Sequence, residues 1–417
     1  MKPDREKLYP WMAVLRAKYM GSERARKLEK HFGSLPKALR ASLDEIVAIP
    51  GFNEEMARAV REAAQGIFDR DIDKELAWME KEGISIILFS DPEYPPPLRH
   101  IPSPPALLYV KGKILPQDIL SLAIVGSRRA SDVGRRTAGA IACELAEAGL
   151  TIVSGLAWGV DASAHKGALR ARQGRTLAVM GSGMKFIYPR EHESLADQIV
   201  RRGALITELF HDVSPQGRNF PPRNRIISGL SLGVLIVEAP ERSGALISAN
   251  YALEQGKEVF AIPDAINQET SLGTNKLIQD SAAKLVTSAQ DILSELEDKI
   301  TFYRNELEGK IPRVDISFDP KNQTEDKDVP SAEDKQKPAK TARPVPASRT
   351  TPNLPPLSED EQRIYTVLTP EAKHIDVVCR ELEWPVARVS SALGLLEFKE
   401  LVEREAGMRF RRKEGSA

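Results

Sequence analysis

The residues with the most chemistry to offer are Gly126-Ser127-Arg128, Ser154-Gly155-Leu156-Ala157, Gly181-Ser182-Gly183 and Phe220-Pro221-Pro222-Arg223-Asn224-Arg225. Small residues between an apolar run and a helical one leave backbone N–H groups open to an anion. One such turn is only tight-turn chemistry. Several on one sheet edge, with Glu238-Ala239 among them, point to a phosphate-binding crest. Guanidinium groups fork onto phosphate and phenylalanine stacks a base, so segment 220–225 reads as a nucleic-acid contact. Residues 121–230 hold 15 Lys+Arg against nine Asp+Glu, a surplus of six, while the whole 417-residue chain balances 59 against 59. Arg128, Arg129, Arg135, Arg136, Lys166, Arg218, Arg223 and Arg225 carry much of that surplus, with Arg135 and Arg136 expected on a solvated helix face. A neutral chain is no basic coat protein; its contact with nucleic acid must be a local patch.

Catalytic constellations are thin. Asp161 and His165 stand four residues apart on one helix face, which would suit acid–base work. No Ser or Cys nucleophile is tied to them, and an acid in a first helical turn is ordinary capping chemistry, so a structural role is expected. No G-x-G-x-x-G follows the first apolar strand of the central region, and no P-loop occurs. The histidines lack metal spacing. Cys143 and Cys379 are too few and too scattered for a disulfide framework or a zinc site, which fits a reducing, cytoplasmic compartment. We expect no cofactor, no metal and no membrane segment: Leu232–Ala239, among the longest apolar runs, is far shorter than the ~20 residues of a span.

These residues need a scaffold. Apolar runs at 85–89, 106–111, 121–127, 151–155, 176–182, 204–209, 232–239, 257–263 and 283–288 alternate, from the third onward, with helical stretches. That pattern predicts an α/β fold with an extended Rossmann-like parallel sheet over 69–300. Residues 1–68 read as a small helical domain of the SAM or helix-hairpin-helix kind, with Pro50-Gly51 at its turn and Glu54 and Glu55 set to repel phosphate. Residues 301–356 read as a disordered linker, on the composition of 312–356, which holds nine of the 29 prolines and Phe318 as its only aromatic. Residues 357–417 read as three helices and two strands around Ala406-Gly407, a winged helix. Its third helix, about Val386 to Lys399, holds few cations. The domain carries ten Lys+Arg against 12 Asp+Glu, so it is expected to modulate contacts and not to read bases.

Six blocks then carry a resemblance: AIVGSRRASDVG (123–134), VSGLAWGVDASAHKGAL (153–169), MGSGMKFIYP (180–189), NFPPRNRIISGLS (219–231), VLIVEAPERSGALISANYALEQGKEVFAIP (234–263) and SLGTNKLIQDSAAKLV (271–286). Their order and spacing resemble the DprA (DNA-processing protein A, Smf) family from about Leu76 to Leu293. The resemblance implies a non-enzymatic homodimer that binds and protects single-stranded DNA and helps load RecA during natural transformation and recombination. It matches Arg128 to the family's motif arginine and Phe220–Arg225 to its second motif. The expected DNA-binding set is Gly126, Ser127, Arg128, Ser154, Gly155, Lys166, Phe220, Arg223, Asn224, Arg225 and Asn275. Val133, Asp264, Phe398 and Glu400 depart from the family pattern. The rival reading is a phosphoribohydrolase-like nucleotide enzyme, for which Glu208 and Glu238 are weak candidates outside any G-G-x-x-G-x-x-x-E pattern.

Overall fold

The computed structural model describes residues 3–307 and, beyond them, 359–369, 373–382, 401–405, 409–412 and the single positions 384, 389, 393, 396 and 399. They fall into two compact units, within 1–323 and 324–417.

The first unit begins with helices α1 (Arg5–Arg16), α2 (Ser22–Phe32), α3 (Leu35–Arg40), α4 (Leu43–Val47), α5 (Glu54–Ala64) and α6 (Asp69–Glu82). Between α4 and α5 the chain turns at Gly51, whose φ of +89° suits glycine, and Asn53 caps α5 by accepting from the Met56 amide at 3.0 Å. The helices share one core with the sheet: Leu8, Trp11 and Ile46 belong with Leu107, Tyr109 and Leu205. The boundary expected at residue 68 therefore separates no independent core.

The sheet has nine strands: β1 (Ile84–Leu88), β2 (Leu107–Gly112), β3 (Ser121–Val125), β4 (Thr151–Ser154), β5 (Thr176–Val179), β6 (Gly203–Thr207), β7 (Gly233–Ile236), β8 (Glu258–Ala261) and β9 (Lys284–Leu285). Their order is β1-β2-β6-β5-β4-β3-β7-β8-β9. From β6 to β9 neighbours are parallel, while β1 and β2 join as an antiparallel extension. Between the strands run α7 (Pro96–Arg99), α8 (Asp132–Glu147), α9 (Val160–Arg170), α10 (Glu193–Arg202), α11 (Phe220–Leu230), α12 (Gly244–Glu254), α13 (Leu272–Gln279), α14 (Ala289–Glu295) and α15 (Glu297–Glu306). Side chains alternate across the sheet. Leu122 and Ile124 pack under α8, α9, α14 and α15, while Ala123 and Val125 pack under α7, α11 and α12. The chain moves outward from β3 to β6 and returns to β7 beside β3, which opens a crevice at their carboxyl ends, where open α/β sheets take ligands.

Helix α15 runs through Glu306 and buries Ile300 and Leu307, so the first residues assigned to a linker belong to the sheet's helical cover. The remainder of that stretch lies outside the described residues.

The second unit is a winged helix. It contains α16 (Glu359–Val367), β10 (Lys373–His374), α17 (Ile375–Leu382), β11 (Val402–Glu405) and β12 (Arg409–Arg412), with an antiparallel sheet ordered β10-β12-β11. Ile364, Leu368, Val378, Val389, Leu393, Leu396, Val402 and Phe410 form its core. Most of the expected third helix, with Phe398 and Glu400, lies outside the described residues. Among the described residues no helix is long and apolar enough to cross a membrane.

Candidate nucleic-acid interface

At the carboxyl ends of β3, β4 and β7 lies a cavity of about 750 Å³. Gly126 to Arg129 enter it after β3, Ala157 and Asp161 after β4, and Tyr188 after β5. Phe220, Arg223 and Asn224 come from the first turns of α11, and Arg242 to Ala245 from the start of α12. Four arginines (128, 129, 223, 242) face two carboxylates (Asp161, Glu269), so the lining is net cationic.

The arginines divide into a mouth and a floor. Arg128, Arg129 and Arg242 are exposed, and among the described residues none of the three pairs with a carboxylate. The Arg128 guanidinium lies 5.1 Å from the Phe220 ring centroid, and Tyr188, 46% exposed, lies 5.8 Å from that ring. Arg223 forms the floor at 5% exposure. It donates Nη1–H to the Val179 carbonyl at 2.6 Å. It can lie there because residue 155 is glycine: a Cβ on Gly155 would fall 1.9 Å from Nη1. Burial pushes the Arg223 pKa down to about 10 against the opposing charge of Asp161, so the group stays charged at neutral pH. Burial likewise raises the Asp161 carboxyl, against Arg223 and the Ala157 and Gly155 amides.

The amides expected to hold phosphate are largely taken. Asp161 Oδ2 accepts from Gly155 at 3.1 Å and Ala157 at 3.3 Å. Buried Glu238 accepts from the Ser131 amide at 2.9 Å and from its hydroxyl, and Ser131 in turn caps α8 at the Gly134 amide. The Ser127 amide donates to the Glu238 carbonyl at 2.7 Å. Pro221 and Pro222 have no N–H to offer at the start of α11. The crest therefore corrects the expectation drawn from its glycines: protein acceptors fill many of its donors, and the exposed cationic groups at the cavity are guanidinium side chains.

A family model described as DNA recombination-mediator protein A matches residues 85–297. The chain belongs to the DprA family. A model of the DprA winged helix domain matches residues 348–408. Protein Smf of Synechocystis sp. is 32% identical over 410 residues, covering 97% of this chain and 98% of its own. The DNA processing protein DprA of Bacillus subtilis is 42% identical over 229 residues, covering 55% of this chain and 76% of its own. The X-ray structure of DNA processing protein A from Streptococcus pneumoniae matches at TM-score 0.61 and 34% identity, over 69% of this chain and 97% of that one. This DprA-family chain is thus a DNA-processing recombination mediator.

Within the DprA framework, the structure brings Gly126, Ser127, Arg128, Phe220, Arg223 and Asn224 to one cavity and leaves five expected residues out of it. Ser154 is fully buried and donates to the Ile124 carbonyl at 2.6 Å. Gly155 is buried beneath Arg223. Arg225 makes a bidentate pair with Glu208 at 2.6 and 2.7 Å and also donates to the Ser103 carbonyl. Asn275 exchanges hydrogen bonds with the Asp264 backbone, and the Asp264 side chain accepts from Ser271 at 2.7 Å. Lys166 is exposed on α9 but does not line the cavity, and neither does Val133, 63% exposed on α8. Arg242 and Tyr188 join without having been singled out. Arg242 lies beyond the basic stretch counted in the sequence, and one tyrosine beside a proline carries no local signal. The rival's carboxylates, Glu208 and Glu238, are both engaged in structural contacts. His165 is fully buried against Thr176 at 2.7 Å, and burial lowers its pKa to about 3.

Proposed function

We propose that this DprA-family chain binds single-stranded DNA at the β3–β7 cavity and acts there without catalysis. It holds the strand for RecA loading in recombination and natural transformation, as a cytoplasmic homodimer. The observation that carries the reading is the mouth: a solvent-facing Arg128, set 5.1 Å over Phe220 and paired with no carboxylate among the described residues. A guanidinium beside an aromatic face suits a phosphate followed by an unstacked base, which a single strand offers and a duplex does not. The refined contact set is Arg128, Arg129, Phe220, Asn224, Arg242 and Tyr188, with Arg223 beneath. Affinity is then sequence-tolerant and falls steeply with salt. The test is titration of a dT homopolymer over a salt series, beside a duplex control and a RecA filament assay on protein-coated single strands. Equal affinity for duplex, or nucleoside-monophosphate hydrolysis that Glu208→Ala abolishes, would reject the reading.

A further inference from the structure

Resting on the single-strand reading of the cavity, we infer that Trp158 is a second base-stacking platform, placed so that Arg128 grips the phosphate between it and Phe220. Trp158 is a large aromatic at 45% exposure that adds nothing to the core. Isolated exposed apolar residues need no explanation by themselves, but several features of the fold converge on this one.

Ala157, its neighbour, lines the cavity. Gly159, on its other side, has φ of +76°. A Cβ there would fall 2.3 Å from the Ser127 carbonyl oxygen and 2.8 Å from that of Arg128. Only glycine lets the chain close this tightly on the Arg128 main chain, and the Val160 amide fastens it by donating to the Ser127 carbonyl at 3.3 Å. With ~3.8 Å between successive Cα atoms, Trp158 stands about one residue from the backbone of Arg128. Phe220 is the aromatic ring that lies at the Arg128 guanidinium, and Trp158 stands just outside the cavity lining, next to Ala157.

The turn is held in place. Leu156, buried at 1% exposure, sits in the left-handed region at φ +57°, an uncommon state for a branched residue. Buried His192 places Nδ1 2.9 Å from the Leu156 carbonyl and meets the indole edge-on, with centroids 4.6 Å apart and planes at 61°. The ring is thus fixed in advance and still open to solvent, as a stacking platform must be. The adjoining cations, Arg128 and Arg129, favour a polyanion over an apolar protein partner.

The test uses the full chain and a dT homopolymer. Wild-type tryptophan emission is quenched on binding. Trp158→Phe removes most of the quench and keeps affinity within about threefold, because an aromatic face remains. Trp158→Ala loses about tenfold in affinity with an unchanged salt slope, since no phosphate contact goes. Undiminished quenching in Trp158→Phe, or wild-type affinity in Trp158→Ala, overturns the assignment. A flattened slope in Trp158→Ala also overturns it, by making Trp158 a support for Arg128. Arg128→Ala separates the two levels. If it binds dT like wild type, the cavity reading itself fails; if it weakens binding while Trp158→Ala does not, only the platform fails.

Discussion

Of the places in the first unit that combine arginine with an aromatic ring, two have opposite characters. At the junction of the helical region with the sheet, Arg16 lies 4.1 Å over the Phe210 ring and pairs with fully buried Glu75. Glu75 also accepts from the His211 amide at 2.9 Å. At the cavity mouth, Arg128 lies over Phe220, and among the described residues no carboxylate pairs with it. The guanidinium–aromatic motif is shared, but a buried carboxylate closes the Arg16 guanidinium while the Arg128 guanidinium is left exposed. Arg225, paired with Glu208, follows the junction although it belongs to the same six-residue motif as Phe220.

The largest effects belong to the closed sites. Glu75→Leu leaves Arg16 without its counter-charge, and stability should fall by about 3–5 kcal/mol in urea unfolding while dT affinity in the folded protein holds. Arg225→Ala should behave in the same way, by stranding Glu208, and should leave the salt slope of DNA binding unchanged. A loss of dT affinity at full folding would break the comparison.

The Glu75 contribution is also pH-dependent. Burial works to raise its carboxyl, but His211 and then Arg16 outweigh that and hold it below the ordinary range. A folded pKa below the unfolded one gives stability that is present above the unfolded value, about 4.3, and lost as pH falls through the folded one. The stability gap between wild type and Glu75→Leu should therefore close below about pH 4. A gap that persists in acid would show that packing, not charge, holds the junction.

Arg128→Ala should act on the ligand alone: binding weaker by about 1.5–3 kcal/mol, a salt slope flatter by about one unit, and an unchanged unfolding curve. Unfolding at lower urea with intact affinity would reverse the assignment of the two sites.

The smallest effect is expected from the winged helix. Two of its described arginines are engaged: Arg411 pairs with Glu403 at 2.8 Å, and Arg412 lies 4.3 Å over Tyr365 and donates to that residue's carbonyl. A chain ending at Leu307 should lose less than about 1.4 kcal/mol of single-strand affinity. A larger loss in the same titration would give this domain a direct DNA contact.

The strand pattern, the winged helix and the carboxyl-end location of the cavity were legible in the residues, because apolar runs and the order of helices and strands are local properties that burial merely uses. Arg128 and Phe220 were legible too, as motif residues beside a strand end and a helix start. The rest depended on partners distant in the chain. Arg223 reaches its floor because Gly155, 68 positions earlier, has no side chain. Glu75 and His211 meet across 136 positions. The crest glycines promised open amides, and only the tertiary structure showed Asp161 and Glu238 already occupying several of them. Residue type and local pattern determine what a group can do, whereas its charge, exposure and freedom depend on which neighbours the fold brings within hydrogen-bonding distance, and that is a property of the folded chain.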